Sequence, residues 1–176
     1  MSQFFSIHVV NPQLRLIRQA VQIIREGKLV VLPTDSCYAL GCHVGDKAAM
    51  ERIRTIRDVD ERHNFSLLCR DLGEAAAYAR IDDRQFRLMK AAAPGSYTFI
   101  LQATREVPRR LMHPKRRTIG VRIPDHRVVQ ALLELFDLLV RLRQLAFGLL
   151  GRVGVRLRIL QLDFRPRELL LQPRGF

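Results

Sequence analysis

Residues 12 to 32 constrain the fold of this chain more than any other stretch. P-Q-L-R-L-I-R-Q-A-V-Q-I-I-R-E places Leu14, Ile17, Val21 and Ile24 at helical spacing, so one stripe of an otherwise polar helix is apolar and needs a second layer to cover it. Asn11 suits the N-cap, Pro12 the first helical position and Gly27 the stop. Leu29 to Leu32 then form a short continuous apolar run, which predicts a strand covered on both faces. A helix laid against a buried strand is the unit of a layered domain, and the same alternation recurs downstream.

Asp46 can cap a second helix, K-A-A-M-E-R-I-R-T-I-R, in which Met50, Ile53 and Arg57 share a side and Arg54 lies off it. F-S-L-L-C (65–69) reads as a strand, Asp71 opens a short alanine-rich helix, and a further helix covers 83–92 before the Pro94-Gly95 turn. Y-T-F-I-L-Q-A (97–103) is β-rich, T-I-G-V-R-I-P (118–124) alternates as a strand, and H-R-V-V-Q-A-L-L-E-L after Pro124-Asp125 is helical. The expected class is α/β (α+β), a twisted mixed sheet with flanking helices. A chain of 176 residues is large enough to bury such a core without disulfide or metal staples.

From Asp137 the composition changes. Residues 137–176 hold eight arginines, no lysine, twelve leucines and three acids, with no serine, threonine or asparagine. Leu138, Leu142, Leu145 and Leu149 fit a helical stripe, and Val153, Val155, Leu157 and Ile159 alternate with arginine or glycine as a strand does. The same bias resembles a reading frame never selected to encode protein. Residues 1–136 are therefore taken as the domain and 137–176 as an atypical tail, for which a frameshift is one reading.

The formal net charge of +13 points to polyanionic partners, either a nucleic acid or a phosphate-bearing ligand. Cys37, Cys42 and Cys69 are odd in number with no secretory signal ahead of them, which favours a reducing cytoplasm. Cys37 and Cys42 have no second Cys/His pair at metal spacing, so no metal site is expected, and Cys37 and Cys69 read as small buried residues. No apolar stretch reaches the roughly 20 residues that a membrane span needs.

Four ordered motifs carry a resemblance: P-T-D-S-C-Y-A-L-G (33–41), the basic helix end near Arg57, P-G-S-Y-T-F (94–99) and I-G-V-R-I-P (119–124). Together they resemble the YrdC-like family, whose threonylcarbamoyl-AMP synthases show a P-T-D/E-S/T stretch, then K-x-R, a K-P/G-L, P-G-P-x-T and V-R-x-P. The wording H-N-F-S-L-L-C-R-D-L and E-V-P-R-R-L is nearest the YciO-like branch, over residues 3–136. The resemblance implies a large basic cavity on one face of the sheet. It also implies use of L-threonine, bicarbonate and ATP with magnesium to make threonylcarbamoyl-adenylate and pyrophosphate, for threonylcarbamoyl modification of tRNA. Adenylyl transfer needs cations around the triphosphate, and an amino-acid site needs a cation for the carboxylate.

Carried over residue by residue, the resemblance makes Thr34, Asp35, Tyr38, Thr98 and Arg122 candidate substrate-binding residues, with Arg122 as a carboxylate or phosphate clamp. Thr34 and Asp35 also suit a turn after a strand, Tyr38 a core phenol, and Gly41 a point where the chain eases away. Arg57 and His63 stand at nucleotide-binding positions, but Val59 and His63 replace two of the family's cations. The S-T-S-A-N-like segment that completes the family's nucleotide site, and the strand bearing it, have no counterpart after residue 136. No catalytic residue is assigned, and weak or absent activity is expected. A non-catalytic module binding double-stranded RNA or tRNA through the same basic face is the alternative. Its candidate residues are Arg109, Arg110, Lys115, Arg116 and Arg117, in a loop (105–117) with one acid, Glu106. A disrupted, non-functional member is the third reading.

Overall fold

The computed structural model describes residues 2–60, 63–152 and 169–171, with side chains to residue 140 and at Leu142. In chain order the elements are α1 (Leu14–Arg25), β1 (Val30–Pro33), β2 (Tyr38–His43), α2 (Lys47–Arg57), β3 (Ser66–Leu68), α3 (Leu72–Tyr78), β4 (Ala79–Arg80), α4 (Asp83–Ala92), β5 (Phe99–Ala103), a 3-10 turn (Arg109–Leu111), β6 (Thr118–Arg122), α5 (Arg127–Arg152) and β7 (Leu169–Leu171). They form one mixed sheet in the order β1-β2-β7-β3-β6-β5-β4, with β3 and β6 parallel and the other pairs antiparallel.

The register sorts side chains onto two faces, because residues opposite one another in neighbouring strands point the same way. Ser66 lies opposite Gly120 and Gly120 opposite Ile100, while Leu67 lies opposite Val121 and Val121 opposite Phe99. Cys42, Leu67, Leu101, Ile119 and Val121 face the layer built by Met50 and Ile53 of α2, Ala75 and Tyr78 of α3 and Met89 of α4. On the other face, Leu32 and Leu68 are covered by Ile17, Val21 and Ile24 of α1 and by Val128, Val129, Leu132, Leu133 and Phe136 of α5. Each such side chain contributes about 1.5–3 kcal/mol relative to leaving it in water. Among the described residues, α1 and α5 cover the β1 side of that face. Toward β5 the described residues leave it open, and Ile100 is exposed there.

Several expectations are corrected. Helix α1 begins at Leu14 with Gln13 as N-cap, because the Asn11 amide is still turning onto His8 Nδ1 (3.1 Å) and Gln13 Oε1 takes the His8 amide (3.1 Å). Gly27 does stop the helix, at φ 74°, a conformation that costs glycine nothing. Strand β1 is not covered on both faces: it is the sheet edge, and Val31 is 62% exposed. Gly41 does not lead the chain away but sits within β2, opposite Val30.

The last helix continues through the compositional break to Arg152, leaving Leu138 and Leu142 exposed on it. Asp137 itself is buried and accepts from Arg70 Nη1 at 2.8 Å, which ties α5 to the end of β3. The strand expected over Val153–Ile159 lies outside the described residues. Leu169–Leu171 pairs with both β2 and β3, so a strand does occupy the place between them. Among the described residues, no helix is long and apolar enough to cross a membrane.

Candidate functional site

The stretch Thr34–Cys37 is the four-residue tip of the β1–β2 hairpin. Thr34 builds it: its amide and hydroxyl both donate to the Cys37 carbonyl (3.1 and 2.6 Å), and its Oγ1 accepts from the amides of Cys37 (3.2 Å) and Ser36 (3.3 Å). A hydroxyl that mimics a backbone turn is what threonine supplies here.

The tip reaches across the sheet to Arg122, the last residue of β6. Arg122 Nη2 donates to Asp35 Oδ1 and, at 2.8 Å, to Ser36 Oγ. Both side chains of the ion pair are only 11% exposed. Among the described residues, Arg122 Nε and Asp35 Oδ2 are buried with no hydrogen-bond partner. A fork-to-fork pair would satisfy both atoms, so this pair is half made, and it leaves one donor and one acceptor for something else.

Beside Arg122 the sheet surface is shaped by Gly120. A Cβ there would lie 2.6 Å from Ser66 Oγ and 3.2 Å from Thr98 Cγ2, so these three residues close on one another. Arg122 and Leu68 are the last residues of the parallel strands β6 and β3. Ligands of open sheets collect at such carboxyl ends. Thr34, Asp35, Thr98 and Arg122 are thus gathered around the open face. Ser36, Ser66 and Gly120 join them unforeseen; only the glycine inside a strand, a mark of close approach, could have signalled this.

The other candidates are not brought to Arg122. Tyr38 is 72% exposed at the start of β2 and alternates onto the face of Leu40 and Cys42, so it is not a core phenol. Arg57 ends α2 exposed, because Asp58 in the left-handed region terminates the helix there. Arg54, set aside on helical phase, is the packed one: its guanidinium lies 4.9 Å from the Phe65 ring centre and pairs with Glu51 at 2.7 Å. His63 stands edge-on to the same ring at 6.2 Å, with Nε2 buried and lacking a hydrogen-bond partner among the described residues. Phe65 belongs to the layer of Leu67 and Val121, opposite the Arg122 face.

The basic loop is likewise corrected in place. Val107 and Leu111 anchor it in that opposite layer, so it does not share a face with Arg122. Arg109, Arg110, Lys115, Arg116 and Arg117 are all exposed. Arg110 is also structural, donating from Nη2 to the Gly45 carbonyl. Lys115 and Arg116 are held by their amides on His113 Nδ1 (3.3 and 3.1 Å). Cys37, expected buried, is exposed in the hairpin tip, whereas Cys42 and Cys69 are buried. Burial pushes the Cys42 thiol up to about 12, with Asp46 adding to the shift and Arg110 opposing it, so it is no nucleophile near neutrality.

The chain is similar to known proteins. The Sua5/YciO/YrdC family model, described as "Telomere recombination", matches residues 22–142. The chain is 60% identical over 134 residues to the "Uncharacterized protein YciO" of Escherichia coli K12, covering 76% of this chain and 65% of that protein. The crystal structure of E. coli YciO superposes with a TM-score of 0.73 over the same shares. A threonylcarbamoyl-AMP synthase of Vibrio vulnificus YJ016 is 29% identical over 119 residues, 66% of this chain and 63% of that enzyme. The structure of P. abyssi Sua5 complexed with L-threonine is 30% identical with a TM-score of 0.66, covering 71% of this chain and 37% of that one.

Proposed function

The chain belongs to the Sua5/YciO/YrdC family, and from that premise we propose that the open face at Arg122 is the substrate face of a threonylcarbamoyl-AMP synthase-like enzyme of low capacity. The observation that carries the reading is the buried Arg122 guanidinium beside Asp35, with its Nε–H still to be satisfied. A buried, incompletely paired guanidinium suits a carboxylate, and L-threonine is the ligand of P. abyssi Sua5. Thr98, exposed with its methyl beside Gly120, offers a hydroxyl for the ligand's polar atoms. ATP, with magnesium, and bicarbonate complete the reactants, and threonylcarbamoyl-adenylate and pyrophosphate are the products.

Low capacity follows from the missing charge. Val59 and His63 stand where the family carries cations, and His63 packs against Phe65. Each cation withheld from a transferring phosphoryl group costs transition-state stabilisation. The test is pyrophosphate release with ATP, bicarbonate and L-threonine. Release should require threonine, be slow, and be lost in Arg122→Ala. Zero release, together with no L-threonine binding, refutes the reading.

A second reading has its own observation, the exposed basic side chains of Arg109, Lys115, Arg116 and Arg117, which have no ion pair among the described residues. This loop would hold double-stranded RNA or tRNA by phosphate contacts, on the face opposite Arg122. Affinity that stays unchanged as salt rises about fourfold would refute it. Residues 1–136 we take as the family domain, with Leu169–Leu171 pairing into its sheet between β2 and β3. The change at Asp137 is ascribed to a frameshift or recombination near that codon, and an uninterrupted frame in independent isolates would overturn that.

A further inference from the structure

We propose that Asp35 is an internal competitor at Arg122: its carboxylate stands where a ligand's would, and it keeps the site's affinity for carboxylates low until displaced. The inference rests on the reading of Arg122 as a ligand clamp and adds how that clamp is regulated.

The argument begins with the half-made pair. A guanidinium and a carboxylate brought out of water recover the cost of burial best when both N–H groups meet both oxygens. Here Nη2 serves Asp35 Oδ1 and Ser36 Oγ together, while Nε and Oδ2 are buried and unsatisfied. A ligand carboxylate approaching from the open face can take Nε and Nη2 at once. It replaces a half-made pair with a complete one, and Asp35 returns to water. Until then, the Asp35 charge both occupies Nη2 and repels any anion that approaches.

The hairpin tip permits the exchange. Its conformation is fixed by Thr34, through five hydrogen bonds to Cys37 and Ser36, and none of these involves the Asp35 side chain. Arg122 is fixed separately, by the pairing of β6 with β3 and β5. Asp35 can therefore leave Arg122 without unmaking the turn or the strand. Ser36 stays as a neutral partner of Nη2, so the guanidinium keeps its aim.

The experiment titrates the full chain with L-threonine by calorimetry, in wild type, Asp35→Asn, Asp35→Ala and Arg122→Ala, after a thermal melt of each. Asparagine keeps the shape and removes the charge. The expected result is about a tenfold or larger gain in affinity in Asp35→Asn, a similar gain in Asp35→Ala, and loss of binding in Arg122→Ala. Equal or weaker binding in both Asp35 variants, with binding in wild type still lost in Arg122→Ala, overturns the competitor while leaving the clamp standing. Binding that ignores Arg122→Ala, or no binding in any form, overturns the clamp and the competitor together. Loss of folding in both Asp35 variants overturns the competitor as well, because a pair the fold needs is not one a ligand can open.

Discussion

Gly120→Ala should destabilise the chain although it adds one methyl group at a site facing an open surface. The new Cβ would fall 2.6 Å from Ser66 Oγ, inside the 3.0 Å that such contacts respect, with Ser66 Cβ at 3.3 Å and Thr98 Cγ2 at 3.2 Å. Ser66 is 3% exposed and sits mid-sheet between β7 and β6, so it has little room to yield. Overpacking of this kind costs about 1–3 kcal/mol, and the lower chain entropy of alanine in the unfolded state offsets about 0.4–1 kcal/mol. The net loss is about 1–2 kcal/mol, or a melting temperature lower by roughly 2–8 °C for a chain of this size. Urea denaturation reads it as a lower midpoint at unchanged m-value. Ser66→Ala made in the Gly120→Ala background removes the 2.6 Å contact and should recover at least half the loss, as a double-mutant cycle would resolve. A Gly120→Ala chain as stable as wild type, or one that Ser66→Ala does not rescue, would show that the sheet surface at Gly120 is not closed in the way described.

Two further outcomes test the packing around this face. Asp137→Ala strips Arg70 Nη1 of its 2.8 Å partner, whose side chain is 9% exposed, while leaving the 2.8 Å contact to Asp71. The loss should be about 2–3 kcal/mol in urea, below the 3–5 kcal/mol of a fully buried pair because Arg70 keeps Asp71; a change within about 0.5 kcal/mol, the size of an ordinary surface substitution, would remove Asp137 from the core. Burial holds the His43 imidazole below its usual 6.5, with Asp46 opposing. The unfolded chain therefore binds the proton first, and stability should fall as pH drops from 7.5 through 5.5, by at most about 1.4 kcal/mol per pH unit from this one group. A slope the same in His43→Gln as in wild type would assign it elsewhere.

The helices were legible because each rests on local signals. Asp46, Asp71 and Asp82 each accept from an amide three residues on (2.9, 2.7 and 2.7 Å), the cap that their short carboxylates provide. What local signals do not carry is the neighbour. Leu29 to Leu32 reads as a buried strand by composition, yet whether a strand is central or at an edge depends on which strand pairs beside it. β2 was missed as a strand for the related reason that Tyr38–His43 alternates with a glycine and a cysteine inside it, and its pairing with β1 follows only once Thr34 has folded the tip. Helical phase misjudged α2 in the same way. By angle Arg57 lies nearer the Met50 and Ile53 stripe than Arg54 does, but the helix ends at Arg57 while the Phe65 ring returns beneath Arg54.

The site divides along the same line. Thr34 could be assigned to a turn because every atom it binds lies within three residues. Asp35 and Arg122 lie 87 positions apart, and only the sheet order brings the hairpin tip over the end of β6. That separation has a physical consequence for function. A site assembled from a turn bonded within itself and a strand paired along the sheet can exchange its central contact while both keep their own hydrogen bonds. Were Asp35 instead needed to shape the tip, ligand entry would have to pay for refolding the turn. The hydroxyl of Thr34 removes that cost, and this is why the threonine and the aspartate, adjacent in sequence, carry separable roles: one builds the arm, the other is what the arm holds over Arg122.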